Sequence, residues 1–214
     1  MISSLRLRFR YLLLRIQAMT LLAFGRRAQA LCQFGRMLQL FPRDRYVLSS
    51  HAHVLVQLNR LDESIASLRQ LTGLNGSQAQ QAVAWFNLGY VLQQAGRHPD
   101  ASAAFEQAIE YDPSLDQAWY GLGLVLIDQG RLDEARQALK KNTALQPMSP
   151  YGWYRLAEVY RALDEPEKAR QIIDHLRQFE PRVAAQLERE ISRGGAWHGA
   201  EHRSLASKAG HATH

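Results

Sequence analysis

Trp85, Trp119 and Trp153 stand 34 residues apart, and the residues around them repeat with the same period. Each tryptophan is followed three positions later by a leucine (Leu88, Leu122, Leu156) and then by a small residue (Gly89, Gly123, Ala157). Twelve positions beyond each small residue comes an alanine (Ala101, Ala135, Ala169), then a large apolar residue (Phe105, Leu139, Ile173), and finally a proline (Pro113, Pro147, Pro181). A fixed period constrains the fold more than composition does. One unit of such an array cannot bury its own apolar face, so neighbouring units must stack and share a core.

The same ruler accounts for the less regular flanks. It marks repeats over 11–44, 45–78, 82–115, 116–149 and 150–183, with Ala79–Gln81 inserted between the second and third. LDESIASLRQLTGLNG from Leu61 falls on LDEARQALKKNTALQP from Leu132 without a gap. In every repeat the residue four after the tryptophan position is small (Ala18, Ala52, Gly89, Gly123, Ala157), and so is the one twelve later (Ala30, Ser64, Ala101, Ala135, Ala169). Small residues at both sites let the two helices of a hairpin approach closely. Between them lies Gly25, Asn59, Gly96, Gly130 or Asp164, each a type that tolerates the left-handed conformation with which a helix stops. Ser77 is an N-cap that should start the next helix about one turn early. The departures are Leu14 and Leu48 for the tryptophan, Gln17 and His51 for the leucine, and Asn142 where Ala108 and Leu176 sit in adjacent repeats. Repeat two lacks the closing proline as well and is expected to be the loosest; Asn142 reads as a hydrogen-bonded polar contact.

This W-x-x-L-G...A-x-x-x-F...P pattern resembles the tetratricopeptide repeat (TPR) family. The resemblance implies an all-α fold, a right-handed α-solenoid of five TPR helical hairpins with a C-terminal capping helix over 184–193. The capping stretch VAAQLEREISR independently places Val183, Ala184, Leu187 and Ile191 on one helical stripe. The resemblance also implies a concave groove, lined by the first helix of each hairpin, that binds a protein or peptide client. Its lining falls on Phe86 and Tyr90, Tyr120 and Leu124, Tyr154 and Glu158, with Gln93, Ile127 and Arg161 one turn deeper and Val83 and Tyr151 one turn earlier. Aromatic residues off the packing stripe are the usual anchors of an interface. The family's clamp for a C-terminal carboxylate needs a basic residue where this chain has Phe86, Tyr120 and Tyr154, and an Asn that is missing at the partner site. The asparagine ladder of sugar-transferase repeats is matched only by Asn87. An apolar ligand with scattered polar contacts is therefore expected.

Charge is unevenly placed. Of 26 basic and 20 acidic residues, residues 1–43 hold eight arginines and no acid, leaving a nearly neutral body behind a basic front. In a helix, Leu5, Phe9, Leu12 or Leu13 and Ile16 form an apolar stripe fringed by Arg6, Arg8, Arg10 and Arg15. Such a segment over 1–10 suits an anionic membrane surface, or docks on the first repeat with its arginines solvated; the alternation in LRLRFRY also permits a strand added to a partner's sheet. Nucleic acid is disfavoured, because the arginines are not interleaved with stacking aromatics. Ala28-Gln29-Ala30 mimics an export cleavage site, but Arg15, Gln17 and Arg26-Arg27 interrupt the signal and cleavage would halve a repeat. Tyr11–Phe24 is too short and polar to span a bilayer.

Cys32 is the single cysteine, which excludes an internal disulfide, and its helical neighbours read as packing filler. The tail over 194–214, rich in Gly, Ala, Ser and His, is expected to be disordered, with His198, His202, His211 and His214 solvated. No G-x-x-x-x-G-K-[ST], H-E-x-x-H or G-x-S-x-G occurs, and His51 and His53 point to different faces of one helix. No catalysis, cofactor, metal or small-molecule substrate is expected. The 22 arginines against 4 lysines fit a high-GC bacterial source. The reading is a cytoplasmic bacterial adaptor, peripheral at the inner membrane, that assembles a multiprotein complex. The alternative is a chaperone dedicated to secreted or membrane clients.

Overall fold

A computed structural model describes residues 2–192, with side chains over 6–191. The tail over 194–214, with its four histidines, lies outside the described residues. Eleven helices are present among the described residues, and no strand. They are α1 (Ile2–Ala23), α2 (Arg27–Leu40), α3 (Arg45–Gln57), α4 (Leu61–Thr72), α5 (Gln78–Gln94), α6 (His98–Tyr111), α7 (Asp116–Asp128), α8 (Leu132–Leu145), α9 (Pro150–Ala162), α10 (Pro166–Arg177) and α11 (Pro181–Ser192). The segment expected over 1–10 is the first part of α1, continuous with the first helix of repeat one. The described residues form two compact units, one ending at Leu122 and one beginning at Gly123, divided inside α7.

Every hairpin turns in the same way. Gly25, Asn59, Gly96, Gly130 and Asp164 all have φ between 57° and 72°. In each turn the next residue's N–H reaches back to the carbonyl five earlier, as in Arg26 to Leu21 and Arg60 to Leu55, at 2.8 and 2.9 Å. The turn residue's own N–H takes the carbonyl three earlier, so the last turn of the first helix is satisfied before the second begins. Asn59 and Asp164 carry a side chain in this conformation, which short polar residues tolerate best.

Between the helices the cores follow the period. In the first unit Leu14, Ala18, Ala30, Phe34, Met37, Val47, Val54 and Leu55 are buried together. Phe105 is completely buried on α6; a Cβ on Gly89 or Gly121 would fall 2.8 or 2.6 Å from its ring, so both glycines are required by that ring. In the second unit a Cβ on Gly123 would meet Leu139 Cγ at 2.7 Å. The closing prolines are used as acceptors: Trp119 Nε1 donates to the Pro113 carbonyl at 2.9 Å and Trp153 Nε1 to the Pro147 carbonyl at 2.8 Å.

Where repeat two lacks its proline, other contacts hold the chain. Ser77 and Gln80 form a reciprocal capping box that starts α5. Arg45 donates to the carbonyls of Leu74 and Gln80 at 3.0 and 3.1 Å. Gln17 and His51, the two substituted leucines, have different reasons. In α5, Ala84, Leu88 and Val91 are buried, whereas the same positions of α1, Leu13, Gln17 and Thr20, are exposed, so a polar residue costs nothing there.

His51 is half-buried, with Nδ1 3.0 Å from Ser67 Oγ, and burial, only partly offset by Glu63, lowers its pKa below the ordinary 6.5. The fold thus favours the neutral ring, and the unfolded chain binds the extra proton once the pH falls below 6.5. Stability contributed by His51 is complete above that value and is lost on acidification. His51→Leu, which restores the residue of the later repeats, is expected to shrink the fall in melting temperature between about pH 7 and about pH 5. An unchanged pH slope would assign that acid sensitivity to other groups.

Candidate functional site

The residues expected to line a groove are divided between the two units. In the first, α5 presents Val83 and Tyr90 to solvent at 51% and 48% exposure, with Gln93 half-exposed a turn later. Phe86 lies between them but leans inward, its ring centroid 5.9 Å from that of Phe105. Tyr120 on α7 is half-buried. Period reasoning omitted part of this face. Tyr46 holds in repeat two the position of Val83, and Arg15 and Met19 hold in repeat one the positions of Phe86 and Tyr90. The structure brings these three together: the Arg15 guanidinium sits 4.5 Å over the Tyr46 ring, and Tyr46 hydroxyl lies 3.4 Å from Met19 Sδ. The missed signal was the ruler itself, which reaches the first two repeats once the insertion is allowed for.

In the second unit Tyr151 is 45% exposed at the start of α9, and Leu124 is half-exposed. Ile127 is only 7% exposed and offers a partner almost no surface. Tyr154 is half-buried, and its hydroxyl donates to a Glu190 carboxylate oxygen on α11. Burial first, and then that hydrogen bond, hold the phenol well above its usual pKa. Glu158 accepts from Arg155 at 2.8 Å on the same helix, and Arg161 is half-exposed one turn on. The α9 face is therefore an exposed tyrosine beside a closed polar cluster that joins α9 to α11.

The basic set, Arg6, Arg8, Arg10 and Arg15, is exposed along α1, and Arg26, Arg27, Arg36 and Arg43 are exposed in the rest of the first repeat. Cys32, read as packing filler, is exposed on α2. Asn142 is buried on α8, against Gly152 of α9. Among the described residues no three His, Cys, Asp or Glu side chains gather as a metal site would require, and no helix is long and apolar enough to cross a membrane.

Helical hairpins with left-handed turns and small-residue contacts at a 34-residue period define a helical-repeat protein of the protein-interaction class. Tetratricopeptide-repeat models match residues 49–101, 86–147 and 150–175. The chain belongs to the tetratricopeptide repeat family.

Solved structures agree in fold. A crystal structure of MamA protein superposes with a TM-score of 0.72 at 17% identity, covering 88% of this chain and 97% of that one. MamA 41-end from Desulfovibrio magneticus RS-1 gives 0.71 at 19% identity, covering 85% and 96%. YrrB, described as a TPR protein with an unusual peptide-binding site, gives 0.67 at 20% identity, covering 80% and 88%. A stretch of 89 residues, 40% of this chain, is 34% identical to human Protein O-mannosyl-transferase TMTC1. That stretch spans 10% of the transferase's length.

Proposed function

We propose that the chain is a non-catalytic adaptor that holds a protein or peptide partner on the first-helix faces of its hairpins and thereby helps assemble a multiprotein complex. The observation that carries this is the exposure of Tyr90, Val83 and Tyr151, at 45% to 51%, on helices whose packing faces are already filled by the tryptophan, leucine and small positions. An exposed aromatic with few rotamers, next to half-exposed polar groups such as Gln93 and Arg161, is the composition of an interface anchor. The peptide-binding site described for YrrB supports the same use of this fold.

The test is capture of a partner by the intact chain and by Tyr90→Ala with Tyr151→Ala. Both side chains project into solvent, so helicity and melting temperature are expected to stay nearly unchanged. Capture is expected to weaken by at least about 2 kcal/mol, roughly thirtyfold. Undiminished capture at unchanged melting would remove these faces from the interaction. Tyr154 is a poor reporter, because its truncation also removes a hydrogen bond that ties α9 to Glu190 of α11.

A further inference from the structure

Helix α1 has two apolar stripes where a surface helix has one. Leu14 and Ala18 are buried, with Tyr11, Leu21 and Leu22 packed beside them in the core of the first unit. On the opposite side Phe9, Leu12, Leu13 and Ile16 follow the i, i+3, i+4, i+7 spacing of one helical face and are 46% to 68% exposed. The docking alternative for this stripe is thus not what α1 uses to pack. With about 100° per residue, Arg8 and Arg15 fall along one edge of the outer stripe and Arg6 and Arg10 along the other. The first carboxylate in the sequence is Asp44, the last residue of the first repeat, and its side chain caps α3 by accepting from the Val47 N–H.

We propose that the outer face of α1 is a peripheral binding site for an anionic lipid surface, with Phe9, Leu12, Leu13 and Ile16 entering the acyl boundary and the arginines meeting the headgroups. The face requires an occupant that is apolar at its centre and negative at both edges, which an anionic bilayer supplies along the whole helix. Stacking of another protein hairpin fits less well. A close-packed protein surface would desolvate Arg6, Arg8, Arg10 and Arg15 along both edges of the stripe unless it offered carboxylates there. At headgroup depth they stay hydrated. The site is independent of the tyrosine-bearing faces of α5 and α9.

The experiment is co-sedimentation of the full chain with phosphatidylglycerol-containing vesicles and with pure phosphatidylcholine vesicles. Binding is expected only to the former, and it should fall as salt rises, because exposed charges are screened beyond about 10 Å at 0.1 M. Arg6→Gln with Arg8→Gln and Arg10→Gln is expected to weaken it on the order of a hundredfold. Phe9→Ser with Leu13→Ser is expected to weaken it by at least about tenfold, since buried apolar area is lost while every arginine remains. Phe9→Trp should show blue-shifted emission with the anionic vesicles. All these positions are exposed, so helicity and melting serve as controls. Equal binding to neutral vesicles, absence of binding, or serine-variant binding equal to wild type would overturn the proposal. So would a concentration-dependent dimer that ignores vesicles and is abolished by the serine substitutions, which would assign the stripe to a second copy. None of these outcomes alters the capture test with Tyr90 and Tyr151, so the two readings fail separately.

Discussion

Phe105→Ala is expected to lower the stability of the first unit by about 3 to 5 kcal/mol, the upper range for removing a buried aromatic side chain. The ring is fully buried and fills space left by two residues that have no Cβ, Gly89 on its own hairpin partner and Gly121 on the following helix. Glycine helices cannot send side chains into the vacated volume, so the cavity collapses poorly and the cost lies high in the range. The ring is also the support beneath Phe86, whose centroid lies 5.9 Å away on the helix that exposes Val83 and Tyr90. Loss of the ring should therefore raise the mobility of that face. Phe105→Leu, which installs the residue held at this register by Leu68 and Leu139, is expected to cost only about 1 to 2 kcal/mol. Denaturant unfolding of the three proteins measures both numbers. Equal losses for alanine and leucine would mean that the contact with the glycines carries no energy of its own.

What the sequence could show followed from how local each rule is. The five turn positions were legible because each demands a residue type that accepts positive φ, and Gly25, Asn59, Gly96, Gly130 and Asp164 all adopt it. Ser77 was legible because capping reads across three residues, and Gln80 completes the box. Contacts that leave the period were not legible. Tyr154 looked like a free groove aromatic because its partner, Glu190, belongs to a helix outside the repeats. Arg45 looked unremarkable, yet its guanidinium laces the loop that lacks a proline. The stripe on α1 was visible, but whether Phe9 or Leu14 faced the core depended on packing, and Leu14 does. Cys32 failed for the same reason: helical neighbours say nothing about which side of the helix is covered.

Gly152→Ala is expected to destabilise the second unit by about 2 to 3 kcal/mol, although alanine is otherwise the better helix former. A Cβ at 152 would stand 2.0 Å from Asn142 Oδ1 and 3.2 Å from Thr143 Cγ2, so the buried asparagine would have to move and give up its hydrogen bonding. One repeat earlier the same two positions are Ala108 and Ala118, both completely buried. Repeats four and five have thus exchanged one small–small contact for a larger polar residue opposite none at all. Two departures from the period, read separately as a polar contact and a glycine, are one compensated pair. Asn142→Ala alone opens a void and is expected to cost about 1 to 2 kcal/mol. The double substitution rebuilds the alanine pair of the preceding repeat, and its loss should fall short of the summed single losses by about 2 kcal/mol. Thermal or denaturant unfolding of all four proteins closes the cycle. Additive losses would show that Asn142 and Gly152 do not compensate each other, and the asparagine would need a different reason to be buried.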